Sequence, residues 1–266
     1  MTHANSTALI GSTGFVGGNL DAQYQFSHRY RSTNIEQIRG KAFSLVVCAG
    51  APGKKWYANQ HPDEDRGSID LLISCLKCVE AERFVLISTV DVFSEPLGVD
   101  ECSDPTRRAQ HSYGQHRYLL EQVCQELFPN IVVVRLPGLF GPGLRKNALF
   151  DFLSGNNVDR IDSRGVFQWY NTERLWSDIE RASAANISLV HLATEPCSIA
   201  TLHEEVFGAP FTNVTAGEPA RYDMRSRFST HWNSRGDGYQ YAVDEVFEDM
   251  RKFVARAKQG EMERSR

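Results

Sequence analysis

Apolar residues in the first half of the chain fall in short unbroken runs, not in strict alternation. Thr7-Ala8-Leu9-Ile10, Phe43 to Ala49, Arg83 to Ile87 and Ile131 to Leu136 each read as a strand covered on both faces. Between them lie segments with helical spacing: Phe15 onward, Ile69 to Val79, and Tyr113 to Phe128 with Leu119, Leu120, Val123, Cys124 and Leu127 on one side. Tyr24-Gln25-Phe26 is a candidate second strand, Ile35 to Ile38 a brief helix, and Ser188 to Leu192 one more strand late in the chain. Strands alternating with helices predict an α/β fold with a doubly wound parallel sheet.

The texture changes after Gly138, where Phe140-Gly141-Pro142-Gly143 forms loops and short mixed pieces follow. The expected division is a first domain over 1–138, with 177–196 returning to it, and a smaller lobe from 139–176 and 197–256 that caps the first. The charged stretch 257–266 is expected to fray. Ligands of doubly wound sheets bind beyond the carboxyl ends of the strands. Gly11, Ala49-Gly50-Ala51, Ser88-Thr89 and Pro137-Gly138 each follow a strand, so they are expected to meet at one crevice.

Composition narrows the partner class. A hydrophobic fraction of 41% and a charged fraction of 23% are ordinary for a globular chain. A net charge of −4 gives no electrostatic footing for nucleic acid. No run of about 18 apolar residues is present to cross a membrane. Met1 to Ser6 lacks the basic segment and apolar stretch of a secretion signal, so a cytoplasmic location is expected. Cys75-Leu76-Lys77-Cys78 has redox or zinc spacing, but no second pair completes a metal set and the surrounding residues read as helix. The histidines form no H-x-x-x-H pair, and no metal is expected.

The chemistry lies in three motifs. Gly11-Ser12-Thr13-Gly14-Phe15-Val16-Gly17 joins a strand to a helix, and glycines at these places permit a sharp turn, backbone approach to a pyrophosphate, and close helix packing. An acid is usual roughly 20 residues on. Here the stretch is Ser27-His28-Arg29-Tyr30-Arg31-Ser32, so Arg29 and Arg31 are candidates for a 2′-phosphate, and NADP is favoured over NAD. Ser88-Thr89 ends a strand, and Tyr113 precedes Arg117 by one helical turn. A phenol titrates near 10 and needs cations to act as a base at neutral pH. Tyr113 is therefore a candidate acid/base at a sugar hydroxyl, with Thr89 holding the same oxygen and Arg117 supplying charge. Lys54, Lys55 and Trp56 could reach a phosphate or stack on a ring; Gln168-Trp169-Tyr170 and Arg221, Arg225 and Arg227 are candidate contacts to a nucleotide sugar.

With these residues in place, the chain resembles the extended short-chain dehydrogenase/reductases of the NAD(P)-dependent epimerase/dehydratase kind. Further matches are Arg135-Leu136-Pro137-Gly138-Leu139-Phe140-Gly141-Pro142-Gly143, Ser177-Asp178-Ile179 and Ser198 to Leu202. The resemblance implies a Rossmann-type sheet with a smaller substrate-binding lobe, a nucleotide-sugar substrate and a homodimer paired through the helices around 69–79 and 113–128. It places Thr89 and Tyr113 at the catalytic positions, Pro137 beside the nicotinamide, and Asn147 toward the substrate. Asp91 stands where the dehydratases of the family keep an acid, but Val90 stands where they keep its partner, which argues against water elimination. Arg117 stands where the family has lysine, Phe93 where tyrosine is usual, and Gly138 where asparagine is usual. A catalytically weak regulator with the same fold, sensing cofactor redox state, is the alternative.

Overall fold

In the computed structural model, residues 6–108 and 111–264 are described, with side chains through 260. The N-terminal stretch read for a secretion signal lies, but for Ser6, outside the described residues. The chain divides into two compact units: 1–95, 101–136 and 174–191 form the first, and 96–100, 137–173 and 192–266 the second. Residues 96–100 thus join the second unit, away from their sequence neighbours.

Six strands build the sheet of the first unit: β1 (Thr7–Ile10), β2 (His28–Tyr30), β3 (Ala42–Cys48), β4 (Glu80–Thr89), β5 (Ile131–Leu136) and β6 (Leu189–His191). Their order is β6-β5-β4-β3-β1-β2, and all pairs are parallel. This is a doubly wound α/β sheet whose order reverses between β1 and β3. The strands are apolar without alternation because helices cover both faces. One core joins Ile10, Val46, Ile69, Leu72, Leu76, Phe84, Leu86, Leu120, Cys124 and Val133.

The second strand lies a few residues later than the Tyr24-Gln25-Phe26 run. The Tyr24 ring packs 4.2 Å from that of Trp176 on α6 (Leu175–Ala184), and Phe26 meets the same indole edge-on. Helix α1 spans Phe15–Gln23 and α2 Lys55–Gln60. Helix α3 (Pro62–Leu76) starts earlier than its apolar spacing predicts, because Pro62 opens it and Asp63, Glu64 and Asp65 favour the positive end of its dipole. Helix α4 is Ser112–Leu127.

The apolar stripes of α3 and α4 turn inward and are covered within the unit. Facing outward on α3 are Asp63, Glu64, Arg66, Gly67, Ser68, Asp70 and Leu71; on α4 they are Gln115, Gln122, Gln125 and Glu126. A partner copy is therefore not needed to cover apolar faces of these two helices.

The second unit has a separate core of Phe140, Leu149, Trp169, Ile199, Leu202, Phe247, Met250 and Phe253. Its helices are α5 (Ala148–Ser154), α7 (Ile199–Phe207) and α8 (Val243–Arg264), with short strand pairs between them. Helix α8 runs on through the stretch from Ala257 that composition marks for fraying.

Candidate active site

The turn after β1 is built by steric necessity. Gly11 has φ +86°, and a Cβ there would sit 2.2 Å from the Ala49 carbonyl oxygen. At Gly17 a Cβ would fall 2.0 Å from the Gly11 carbonyl oxygen, so α1 packs directly on the turn. Gly14 is the N-cap of α1 and offers no side chain to the first helical N–H groups. Thr13 and Gly14 are exposed, and Ser12, Phe15 and Val16 half-buried. Alanine or any larger residue at 11 or 17 would deform this loop.

Beyond β2 the two arginines part company. Arg29 gives Nε to both carboxylate oxygens of Asp21 at 2.8 Å and Nη1 to the Phe26 carbonyl. Arg31 directly follows the strand, its side chain is exposed, and its backbone N–H is held by Asn34 Oδ1 at 2.7 Å. Of the pair, Arg31 has the placement that a strand-end contact requires.

Strand β4 ends at Thr89, and α4 brings Tyr113 beside it. Leu86 pairs with Cys48 at the end of β3, and β4 continues three residues further to Thr89. Thr89 Oγ1 accepts the backbone N–H of Asp91 at 3.1 Å, and the Thr89 side chain, beside the Tyr113 phenol, favours its ionised form. Tyr113 is 8% exposed. Burial pushes its phenol above the ordinary range; the charges of Arg117 and Lys55 oppose that, and Asp91 adds to it.

Tyr113 is fixed at both ends of its residue. Its backbone N–H donates to Asn59 Oδ1 at 3.0 Å. The next residue, Gly114, lies against the Asp91 turn so closely that a Cβ would sit 2.3 Å from the Asp91 carbonyl oxygen. His111 caps α4, its Nδ1 accepting the Gly114 N–H at 3.0 Å. Lys55, from the start of α2, reaches Asp91 Oδ1 at 2.7 Å.

Arg117 lies under the phenol ring, its guanidinium carbon 3.9 Å from the ring centre. Both terminal nitrogens bond the Asp65 carboxylate, and Nη2 also bonds the Pro52 carbonyl. His116 Nδ1 donates to Asp65 at 2.7 Å. Burial works to raise the Asp65 carboxyl, but hydrogen bonds from Arg117 and His116 overcome it and hold the group below its ordinary value. Arg117 Nε is buried and has no partner among the described residues.

A second buried network anchors the same helix. Glu121 accepts Arg135 Nε at 3.0 Å and Nη2 at 2.6 Å, and the Ser88 hydroxyl at 2.5 Å. Arg135 Nη1 then meets His191 Nε2 at 3.2 Å; arginine only donates, so Nε2 accepts and the neutral ring carries its proton on Nδ1. Ser88, read from sequence as a cofactor contact, thus gives its hydroxyl to the helix.

Other candidates fall in the second unit. Gly138 opens the short strand Gly138–Phe140 just after Pro137. The Asn147 side chain caps α5 through the Phe150 N–H and donates to the Leu139 carbonyl. Gln168 is 1% exposed and bonds the backbone of Thr194 and Met224. Arg225 pairs with Asp223 at 3.0 Å, its side chain 49% exposed. Asn147 and Gln168 are thus committed to framework bonds. Among the described residues no group of three or more His, Cys, Asp or Glu is placed to hold a metal ion, and no helix is long and apolar enough to cross a membrane.

Sequence reading missed Asn59, Asp65, His111 and His116. Asp65 was discoverable: Pro62-Asp63-Glu64-Asp65 is a helix start, and reading it as one brings the carboxylate onto α3. Histidine is an uncommon cap, so nothing in the sequence marked His111.

No family model matches the chain, and no curated protein matches it in sequence. Solved structures do. dTDP-4-dehydrorhamnose reductase from Bacillus anthracis, in complex with NADP, is 18% identical, with 95% of this chain and 98% of that one covered at a TM-score of 0.69. RMD from Pseudomonas aeruginosa, complexed with NADPH, is 14% identical over 94% and 98% of the two chains, TM-score 0.70. MoeE5 in complex with UDP-glucose and NAD is 18% identical over 95% and 99%, TM-score 0.65. The fold of this chain is therefore similar to the folds of these three proteins over nearly its whole length.

Proposed function

We propose that the chain is an NAD(P)-dependent oxidoreductase or epimerase acting at a hydroxyl or keto carbon of a sugar, with a nucleotide sugar as substrate class. The observation that carries this reading is the buried Tyr113 phenol on α4, packed against the Arg117 guanidinium, in the same unit as Thr89 at the end of β4 and the glycine turn after β1.

The residues present fit a dinucleotide. The start of α1 opens at Gly14 without a side-chain cap, where an anionic pyrophosphate is favoured by N–H groups and the helix dipole. Arg117 Nε is a buried donor with no protein partner, and a ribose hydroxyl would satisfy it. Arg31 is the cation for a 2′-phosphate, so NADP is the favoured form. When bound, the dinucleotide supplies the hydride donor or acceptor. Tyr113 takes the proton from the substrate hydroxyl in oxidation and returns it in reduction, while Thr89 holds the same oxygen in line.

The six cysteines are free thiols, which suits a cytoplasmic location. The assembly we propose is the homodimer that the family resemblance implies, through α3 and α4. Their outward charged residues are Asp63, Glu64, Asp70 and Glu126 against Arg66 alone, so rising salt should screen repulsion across that contact and strengthen it.

Neutralisation of Arg117 by Asp65 favours a second reading, a dinucleotide-binding sensor with little turnover. Calorimetry with NADPH and NADH, followed by a turnover panel of dTDP- and UDP-sugars, separates the two. Binding with turnover of at least one sugar supports the enzyme, and binding with none supports the sensor. No binding of either dinucleotide defeats both.

A further inference from the structure

Two cations face Tyr113, and they are held differently. Arg117 is 3% exposed and fastened to Asp65 and Pro52. Lys55 Nζ pairs with Asp91 Oδ1 at 2.7 Å, and the two side chains are 38% and 18% exposed. Asp91 in turn cannot drift. Its N–H is bonded to Thr89, its carbonyl abuts Gly114, and its carboxylate meets Lys55. The carboxylate therefore stands as a fixed post between α2 and α4.

We propose that Lys55 is a positioning residue that sets the charge around Tyr113, and that Asp91 both moors it there and offsets it. This rests on the reading of Tyr113 as the acid/base of the site. Arg117 cannot be the adjustable charge, because moving it would strand Asp65 buried and unpaired. The Lys55–Asp91 pair can change its balance at small cost, since it is partly solvated. A substrate hydroxyl that donates to Asp91 would draw negative charge away from Lys55 and leave its field at the phenol less offset. The site would then favour tyrosinate when a polyhydroxyl ligand is present.

Three charged groups act on the phenol: Arg117 from α4, Asp91 from the turn after β4 and Lys55 from α2, with the His111 ring 6.2 Å from the Tyr113 ring. His111, on the approach to α4, feels the same three charges. Burial lowers its imidazole first, Lys55 and Arg117 lower it further, and Asp91 opposes them. It is thus a second reporter of the same charges.

The test needs no substrate. The His111 ring is titrated by NMR, and Tyr113 by fluorine NMR with fluorotyrosine throughout, whose phenols ionise at lower pH. Each signal is assigned by its loss in His111→Asn or Tyr113→Phe. Lys55→Met should move both midpoints upward, and Asp91→Asn should move both downward. The double variant should return toward the parent, and Lys55→Arg should restore it. Midpoints that stay put in Lys55→Met, or shift in the same sense in both single variants, overturn the proposal. A chain that turns over no sugar would defeat the functional reading and leave these titrations unaffected, so the two failures are distinguishable.

Discussion

Arg117 donates to both carboxylate oxygens of Asp65 while its guanidinium carbon stands against the face of Tyr113, 3.9 Å from the ring centre. The charge is therefore shared between a ring face and a buried anion. A lysine at 117 would place its ammonium as a point charge and could not hold Asp65 bidentately while also bonding Pro52. The arginine here belongs to a set with Asp65, His116 and the Pro52 carbonyl.

That set makes a stability prediction. Asp65→Asn leaves Arg117 buried without its counter-charge, and breaking such a pair from one side costs about 3–5 kcal/mol. Urea unfolding should show it as a lower midpoint with an unchanged slope. Arg117→Lys should cost less, because a cation remains beside Asp65. Equal midpoints for parent and Asp65→Asn would refute the view that the pair is buried and complete.

Much of the fold was legible because the apolar runs of β1, β3, β4 and β5 have no alternation and each is followed by helical spacing. The second strand was misplaced because Tyr24 and Phe26 are aromatic and strand-like, yet their burial is against Trp176, a contact 150 residues away that no local pattern encodes. The apolar spacing of α3 located its buried face but not its start, since the first turn is acidic and its one buried member, Asp65, pairs with Arg117. Thr89, Tyr113 and the glycine turn were readable from local motifs. Lys55–Asp91 and Arg117–Asp65 were not, as each joins elements far apart in sequence.

Catalysis predicts a rate effect without a binding effect. Tyr113→Phe removes the transferable proton but keeps the ring that covers Arg117. With any nucleotide sugar that the parent turns over, kcat should fall by about 10²–10⁴-fold, as is common for loss of a general acid–base. Dinucleotide affinity by calorimetry should change little. Full activity in this variant would remove Tyr113 from the chemistry.

Cofactor choice predicts a split between the two arginines. Arg31→Ala should cost about 1–3 kcal/mol in NADPH binding through lost charge-assisted hydrogen bonds, with little change for NADH. Arg29→Ala should leave both affinities nearly unchanged, because Arg29 is already engaged by Asp21 and the Phe26 carbonyl. If Arg29→Ala gave the larger loss for NADPH, the assignment would be reversed.

His111 predicts an acid-side loss of stability. Its imidazole is held below its ordinary value, by burial first and by the charge of Lys55 next. In the window between that lowered value and about 6.5, the unfolded chain binds a proton that the folded chain refuses. Stability from this group is therefore complete above about pH 6.5 and declines as pH falls toward the folded value. Protonation has a local cost too, because Nδ1 must give up the Gly114 N–H and with it the cap of the helix that carries Tyr113. His111→Asn isolates the effect, since asparagine caps a helix well and does not titrate. Urea midpoints measured at pH 7.5 and pH 5.5 should differ more in the parent than in the variant. Other groups titrate in the same window, but they do so in both proteins and cancel in the comparison. An identical pH dependence in parent and variant would show that protonating His111 costs the folded chain nothing, and would overturn this account.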